Sequence, residues 1–217
     1  MQAQFVLFDG FDPLDVIAPF EVLAAGSDAV GGELVLELVS AEGARPVPSG
    51  TRGLVLNATA TLDPARPGFV IVPGAVGPIA GDPDEVDTIP VLLARFGETA
   101  AVELMRQALS NPDVTVATVC GGSLALAMAG LIEGRRAATH HLGMDVLDAT
   151  GVTAVAARVV DDGNLVSSGS VTSGLDLALH LLDRAYGPKV AIAVESLFAY
   201  ERRGTVWTDT GRTPLEV

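Results

Sequence analysis

The sequence predicts an α/β fold built on a mainly parallel sheet with helices on both faces. Two short runs of β-branched and small apolar residues, 68–72 and 114–119, are typical of strands buried on both faces of such a sheet. Each run ends at a glycine-containing turn, and residues 98–109 between them have the apolar spacing of an amphipathic helix. These observations together indicate the α/β class.

The first strand and the first helix are predicted at the N-terminus. Residues 5–8 form a short apolar run, and Asp12 is a suitable N-cap with Pro13 at the first helical position. The helix is expected to continue to about Ala25, with Pro19 kinking or restarting it.

Asp15 is the unusual residue of this helix. It lies in the first turn after the carboxyl end of a strand, which is the edge where ligands bind in open α/β sheets. A carboxylate in a first turn is also favoured by the helix dipole alone, so the sequence leaves a functional and a structural interpretation open.

A second glycine turn follows the buried strand 68–72. Before it, residues 34–40 are a predicted strand and residues 41–57 suggest a hairpin or edge strands. The turn contains Gly74 and Ala75, and we expect one of their backbone N–H groups to contact a substrate or an oxyanion. An ordinary strand-to-helix turn would account for the same residues.

Residues 114–130 are predicted to form a nucleophile elbow, in which a strand, a tight turn and a helix project one reactive side chain. Cys120, Gly121, Gly122 and Ser123 make the turn. We expect Cys120 to adopt a strained, left-handed conformation and to have a lowered pKa, with the Gly121 amide donating to any oxyanion. An unpaired cysteine is also a common small hydrophobic residue of protein cores.

The C-terminal half contains adjacent histidines and a predicted hairpin. His140 and His141 lack the spacing of helical metal ligands, and such a pair is commonly structural or superficial, although His140 lies within reach of the elbow. Residues 152–160 and 165–168 are predicted strands joined by a turn at 161–164.

Two helices close the predicted domain. The first runs through Tyr186 and is stopped by Gly187 and Pro188, and the second runs to about Phe198. We therefore expect a single domain, 1–199, followed by a polar C-terminal tail, 200–217.

Composition excludes several classes of partner. The chain has 217 residues, a formal net charge of −14 and a pI near 4.4. Nucleic acid and anionic membranes both require a basic surface, so neither is an expected partner. The single cysteine excludes an intrachain disulfide framework, and residues 1–10 are neither a signal peptide nor a spanning segment, so the expected location is the cytoplasm.

Four motifs in order resemble the ThiJ/PfpI superfamily, whose fold is that of class I glutamine amidotransferases. They are FDGFDPLDVIAPFEVL, VIVPGA, TVCGGSLALAMAGLIEGRRAATHH and SSGSVTSGLDLALHLL. The resemblance covers nearly the whole chain up to the tail. It is nearest to the isocyanide (isonitrile) hydratase branch and to the sensor-like domains that precede AraC-type DNA-binding modules.

The resemblance implies a flavodoxin-like three-layer sandwich, a homodimer, Cys120 as the nucleophile and Asp15 as the acid that contacts its sulfur. It implies a small-molecule substrate and no metal or organic cofactor. The surplus of apolar residues, 49% of the chain, also favours a homodimer.

Three positions depart from the pattern of the isocyanide hydratases. The residue after the cysteine, generally threonine there, is Gly121, and Ser123 is the residue that would substitute for the missing hydroxyl. The second glycine after Pro-Gly is Ala75, and His141 replaces the aromatic residue that commonly follows Thr-His. These changes bear on the substrate and leave the predicted fold unaffected.

The leading functional prediction is cysteine-dependent hydration of an isocyanide to an N-substituted formamide. Protease, glyoxalase or deglycase activity is disfavoured, because those relatives usually place a histidine directly after the cysteine, and no late His-x-Glu pair completes an amidotransferase triad. The alternative is a non-catalytic sensor that binds a small ligand or records the oxidation of Cys120.

Overall fold

The computed structural model describes residues 1–82 and 86–212. Its strands are β1 (Gln2–Val6), β2 (Val35–Ser40), β3 (Arg45–Pro48), β4 (Val55–Ala58), β5 (Ala60–Thr61), β6 (Gly68–Val72), β7 (Val114–Val119), β8 (Arg136–Ala137), β9 (Thr153–Ala154), β10 (Val159–Asp162), β11 (Leu165–Ser168) and β12 (Trp207–Thr208). Its helices are α1 (Pro13–Ala29), α2 (Ile89–Phe96), α3 (Ala101–Ser110), α4 (Gly122–Met128), α5 (Met144–Ala149), α6 (Ser173–Tyr186) and α7 (Pro188–Phe198).

Within the described residues, eight strands form the central sheet in the order β12-β10-β11-β7-β6-β1-β2-β5. The pairs from β5 across to β11 are parallel, and β10 runs antiparallel to β11. The short pairs β3–β4 and β8–β9 lie outside this sheet. The predicted strand 68–72 is confirmed, and every residue of β6 is buried, as its unbroken apolar sequence requires.

Two groups of helices cover the sheet. Helices α1, α6 and α7 pack against one another, while α4 contacts α2 and α5. Close approach of α1 and α6 depends on Gly26, because a Cβ atom there would lie 2.3 Å from a methyl group of Leu182. The predicted α/β class and flavodoxin-like sandwich are confirmed.

The register of the sheet brings three strand ends together. Val72 of β6 pairs with Thr118 of β7, and Val119 of β7 pairs with Ser168 of β11. Because these strands are parallel, the turns that follow them emerge at one edge of the sheet. The predicted site residues Gly74, Ala75 and Cys120 lie in two of these turns.

Helix α1 begins as predicted and ends later than predicted. The Asp12 side chain accepts a hydrogen bond from the Leu14 amide at 2.9 Å, and Pro13 is the first helical residue. The helix continues past Ala25 to Ala29 through Pro19. Pro19 has no backbone N–H, so one helical hydrogen bond of α1 is missing. Pro19 is buried and lies close to Gly174 of α6, and this packing stabilises the turn.

The predicted strand 152–160 is wrong as a single element. A local turn, closed by the Ala157 amide and the Val155 carbonyl at 2.8 Å, divides it into β9 and β10. Strand β10 then extends to Asp162, so the hairpin loop contains only Gly163 and Asn164, with Gly163 at φ 82°.

The segment after α7 folds back onto the domain. Ala199, at φ 47°, ends the helix in the left-handed conformation, and β12 then pairs with β10 at the edge of the sheet. Residues 200–212 therefore include a strand of the sheet, whereas residues 213–217 of the predicted tail lie outside the described part of the chain.

Candidate active site

Cys120 occupies the turn between β7 and α4 with φ 53°, the left-handed conformation predicted for it. A residue with a Cβ atom is strained there by about 1–3 kcal/mol, so neighbouring contacts must hold it. The Cys120 amide donates to the Ser168 carbonyl at 3.0 Å, and the Thr139 hydroxyl donates to the Cys120 carbonyl at 2.8 Å. The side chain is almost buried, with 8% exposure of the residue.

The glycines around the cysteine are required by close backbone contacts. A Cβ atom on Gly122 would lie 2.2 Å from the Val72 carbonyl oxygen. A Cβ atom on Gly74 would lie 2.6 Å from the Gly121 nitrogen and 3.0 Å from Asp15 Oδ2. The two glycine turns and the carboxyl group are therefore in direct contact, which places the sequence motifs in one site.

Asp15 is fully buried in the first turn of α1. Its Oδ2 accepts a hydrogen bond from the Gly74 amide at 2.8 Å, and its Oδ1 has no hydrogen-bond partner among the described residues. The Asp12 amide donates to the Gly74 carbonyl at 2.9 Å, and Phe11 forms a β-bridge with Ala75. These contacts fix the second glycine turn beside Asp15.

The electrostatics differ from the predicted lowering of the thiol pKa. The pKa of Cys120 is raised, first by burial and second by the negative charge of Asp15. The hydrogen bond from the Gly121 amide lowers this pKa, but it does not offset the two other effects. Burial, and next the charge of Asp12, raise the pKa of Asp15 well above its usual range, opposed by the Gly74 amide. The prediction of a lowered thiol pKa is therefore wrong, and burial is the largest reason.

The two acids behave as a coupled pair, because each anion disfavours the other and no cation of the described residues affects the pKa of either group. A thiolate is compatible with this environment when the carboxyl group carries the proton. The amide of Gly121 stabilises the sulfur anion and that of Gly74 the carboxylate, so one proton can be held at either position.

Comparison with known proteins assigns the chain to a family. The profile of the DJ-1/PfpI family matches residues 1–184. The chain belongs to the DJ-1/PfpI family. It is 36% identical over 203 residues to an isonitrile hydratase of Pseudomonas putida, a match that covers 92% of this chain and 78% of the hydratase.

The chain is also similar to transcriptional regulators and to solved structures of the same fold. The chain is 27% identical to the HTH-type transcriptional regulator CdhR of Pseudomonas aeruginosa over 91% of its own length and 54% of the regulator's. Among solved structures, a ThiJ/PfpI family protein from Pseudomonas syringae superposes with a TM-score of 0.75 at 23% identity, covering 94% of this chain and 76% of that protein. Drosophila melanogaster DJ-1beta also superposes with a TM-score of 0.75, at 18% identity, covering 92% and 98% of the two chains.

Gly121, where the hydratases generally have threonine, is closely packed in this DJ-1/PfpI protein. A side chain at Gly121 would meet a methyl group of Leu93 at 3.2 Å and the Gly74 Cα atom at 3.4 Å. Leu93, on α2, thus occupies the space beside the nucleophile. No local sequence signal identifies Leu93 as a site residue, because it reaches the elbow from a separate helix.

Two residues predicted around the cysteine have other partners. The Ser123 hydroxyl lies 2.5 Å from that of Thr118, so it links α4 to β7. His140 accepts a hydrogen bond from the Leu142 amide at 3.3 Å, and its ring centre lies 4.2 Å from that of His141. Burial, and next the charge of His141, lower the pKa of His140. Ser123 and His140 therefore support the local backbone.

Thr139 holds the Cys120 carbonyl, a role that no motif in the sequence indicates. Its only sequence signal is its position before the His140–His141 pair. Within residues 1–82 and 86–212, no three His, Cys, Asp or Glu side chains are grouped to hold a metal ion. In the same part of the chain, no helix combines the length and the apolar character needed to cross a bilayer.

Proposed function

We propose that the protein hydrates small isocyanides to N-substituted formamides through Cys120. The observation that carries this proposal is the buried pair of Cys120 and Asp15, enclosed by two glycine turns with backbone amides at the sheet edge. The 36% identity to an isonitrile hydratase over most of both chains supports the same reaction.

Because burial raises the pKa of Cys120, the thiol form predominates at neutral pH, and the reaction proceeds through the minor form in which Asp15 has taken up the proton of the thiol. The sulfur attacks the terminal carbon of R–N≡C, and the proton held by Asp15 is delivered to that carbon, giving the thioimidate R–N=CH–S–Cys. The negatively charged Asp15 then removes a proton from water as the water oxygen attacks the same carbon. Asp15 passes this proton to the nitrogen, and as the C–S bond breaks it takes the proton of the new hydroxyl group, so that R–NH–CHO is released and the thiolate and the protonated acid are restored.

The backbone amides have separate roles in this proposal. The Gly74 amide already donates to Asp15, so it holds the acid in position. The amides of Ala75 and Gly121 are assigned to the substrate and the attacking water, and the Gly121 amide also stabilises the sulfur anion. Such fixed donors stabilise charge most strongly in a site that excludes water.

The direct test is incubation of the purified protein with an aromatic isocyanide while formamide is followed. We expect formation of formamide by the parent and none above background by Cys120→Ala. The exposed-surface variant Asp28→Asn, on the same helix as Asp15, should match the parent. Equal formamide production by the parent and Cys120→Ala would exclude the proposed chemistry.

The second candidate function is sensing through the same cysteine. The similarity to the regulator CdhR favours it, since relatives of this chain include transcriptional regulators. Because Cys120 is the only cysteine, intact-mass measurement after peroxide treatment reports its oxidation directly. A parent protein that forms no formamide but oxidises stoichiometrically at Cys120 would favour this function.

We also propose that the protein acts as a homodimer in a reducing compartment such as the cytoplasm. Exposed apolar side chains lie on two helices that pack together, Leu14 and Ile17 on α1 and Leu197 and Phe198 on α7. Leu197 is 72% exposed and directly precedes the exposed Phe198, and neighbouring exposed apolar side chains are typical of an interaction surface. Sedimentation at micromolar concentration should give a dimer, and a purely monomeric species would remove this proposal.

A further inference from the structure

A third acid, Asp12, lies beside the Cys120–Asp15 pair. Asp12 is the N-cap of α1, and its side chain accepts a hydrogen bond from the Leu14 amide at 2.9 Å. Asp15 is the third residue of the same helix, and it is fully buried, whereas Asp12 is half-buried. The two carboxyl groups therefore belong to the same helical turn.

Gly74 fixes the position of the two carboxyl groups relative to each other. The Asp12 amide donates to the Gly74 carbonyl at 2.9 Å, and the Gly74 amide donates to Asp15 Oδ2 at 2.8 Å. An acidic side chain at the third helical position commonly accepts from the N-cap amide. Here both the N-cap amide and the Asp15 side chain bind Gly74 instead, so the glycine turn holds both acids at the sheet edge.

No cation balances this group of acids. In residues 1–82 and 86–212, no basic side chain affects the pKa of Asp12, Asp15 or Cys120. The preceding acid, Asp9, is exposed and paired with Arg45 at 2.7 Å. The charge of Asp12 therefore acts on the pair without local compensation.

Asp12 keeps its charge more readily than Asp15 does. Burial raises the pKa of Asp12, and hydrogen bonds from the Leu14 and Asp15 amides oppose this effect. Burial raises the pKa of Asp15 well above its usual range, and the Gly74 amide alone opposes it. As the pH falls, Asp15 should therefore take up a proton while Asp12 is still ionised.

The charge of Asp12 acts unequally on the two members of the pair. After burial, it is the largest effect that raises the pKa of Asp15. On the pKa of Cys120, it has a smaller effect than burial, the Asp15 charge and the Gly121 amide. Because Coulomb energy falls with distance, a charge on the turn of Asp15 disfavours that carboxylate more than it disfavours a thiolate on a separate element.

We propose that Asp12 is a positioning residue for the shared proton, and that its charge favours the form in which Asp15 is protonated and Cys120 is the thiolate. This inference rests on the proposed hydratase function, in which that form attacks the isocyanide. The proton moves from the sulfur to the carboxyl group, so the net charge of the pair is unchanged. Without the charge of Asp12, the proton should return to the sulfur and the reactive population should decrease.

The test removes the charge of Asp12 and keeps the helix cap. Asparagine and serine are N-caps as effective as aspartate, so Asp12→Asn and Asp12→Ser should both fold. Asp28→Asn removes a charge from the exposed surface of α1 and is the matched control. The quantity compared is kcat/KM for phenyl isocyanide as a function of pH.

We expect two changes in both Asp12 variants. The plateau of kcat/KM should fall by about 3- to 10-fold, the scale of one partly screened charge at short range. The acidic limb should move to lower pH, because Asp15 loses its proton more readily without a neighbouring anion. Asp28→Asn should change neither.

A structural defect at Asp12 would lower the plateau and leave the acidic limb in place. An unmoved limb would therefore overturn the inference. A limb that moves while the plateau is unchanged or higher would also overturn it, because the charge would then not favour the reactive form.

A second readout requires no turnover. Cys120 is the only cysteine, and the rate of its alkylation by iodoacetamide follows the thiolate population. The Asp12 variants should show the same lower plateau and the same movement of the acidic limb in this rate. If the parent hydrates no isocyanide, the proposed function fails, whereas the alkylation profile still decides the role of Asp12. Identical alkylation profiles in the parent and both variants would overturn that role.

Discussion

Two buried aspartates of this protein have opposite surroundings. Asp176, on α6, is bound by Arg158, by the Tyr200 hydroxyl at 3.0 Å and by the Arg203 amide at 2.6 Å. Asp15 has one amide donor, no cation and an oxygen without a partner in the described part of the chain.

This is the difference expected between a carboxylate that stabilises the fold and a carboxyl group that takes part in a proton transfer. A buried charge that is fully paired stabilises one arrangement of the chain, here the return of residues 200–203 to α6. A buried carboxyl group with few partners has a raised pKa and can exchange its proton. Substitutions at the two positions should therefore affect different properties.

The largest expected effect is the loss of stability in Asp176→Ala. Removal of one partner from a fully buried ion pair costs about 3–5 kcal/mol, and partial exposure of Arg158, 23% for its side chain, reduces this to about 2–4 kcal/mol. Urea unfolding measures the change. The control Asp209→Ala removes a largely exposed partner of Arg136 and should cost less than about 1 kcal/mol. Equal losses in the two variants would contradict a structural role for Asp176.

Asp15→Asn should reduce turnover and preserve stability. Loss of a general acid–base group lowers the rate by about 10²-fold, equivalent to about 2.7 kcal/mol in the activation free energy. The free energy of unfolding should not fall, because a buried carboxyl group with a raised pKa is replaced by a neutral amide of similar shape. Asp28→Asn is the matched control on α1. If Asp15→Asn hydrates isocyanides at the parent rate, Asp15 is not a general acid–base group and only stabilises the N-terminus of α1.

The same variant tests the coupling between the two acids. Burial and the Asp15 charge both raise the pKa of Cys120, so the midpoint of thiol alkylation in the parent should lie above the free-cysteine value of about 8.5. Asp15→Asn removes the second cause, and the midpoint should shift to lower pH. A midpoint that is unchanged or higher in the variant would argue against direct coupling.

A third aspartate, Asp161, gives an intermediate case. Burial opposes its ionisation, but His180 at 2.8 Å, Arg184 and the Gly163 amide together hold its pKa below the usual range. A lowered folded-state pKa contributes stability that is complete above the unfolded value of about 3.9 and is lost as the pH falls through the folded value.

Asp161→Asn should therefore lower the free energy of unfolding by about 1.5–2 kcal/mol at pH 7 and by progressively less below about pH 4. Urea unfolding at pH 7 and pH 3 measures both values. Asp113→Asn, at an exposed position before β7, is the control. If the free energies of unfolding of parent and variant differ more at pH 3 than at pH 7, the expected pH dependence is wrong.

The smallest expected effect is that of Arg203→Ala. The Arg203 guanidinium lies 5.9 Å from the centre of the Tyr200 ring, and an exposed cation–π contact is worth about 0.5–1 kcal/mol. The backbone amide that donates to Asp176 is retained in this variant. Urea unfolding should therefore show a much smaller loss of unfolding free energy for Arg203→Ala than for Asp176→Ala. Comparable losses would mean that the Arg203 side chain, and not the Asp176 carboxylate, provides the stabilisation.

Local residue patterns were sufficient to predict the strands 68–72 and 114–119, the N-cap at Asp12 and the left-handed conformation of Cys120. These features depend on local chemistry: β-branched runs favour buried strands, and only glycine fits where two backbones touch. The prediction of one strand at 152–160 is wrong because a turn closed by the Ala157 amide and the Val155 carbonyl divides it, and its two parts pair with different strands.

The pKa values of Asp15 and Cys120 and the residues that surround the cysteine depend on tertiary structure. Asp15 and Gly74 are 59 residues apart and meet only because parallel strands end at one edge of the sheet. Burial then raises both pKa values, which no motif could reveal, since desolvation depends on the whole surrounding fold. The same reason applies to Leu93 beside Gly121, to Thr139 on the Cys120 carbonyl and to the Asp176 cluster: each contact joins segments whose proximity is set by the packing of distant elements.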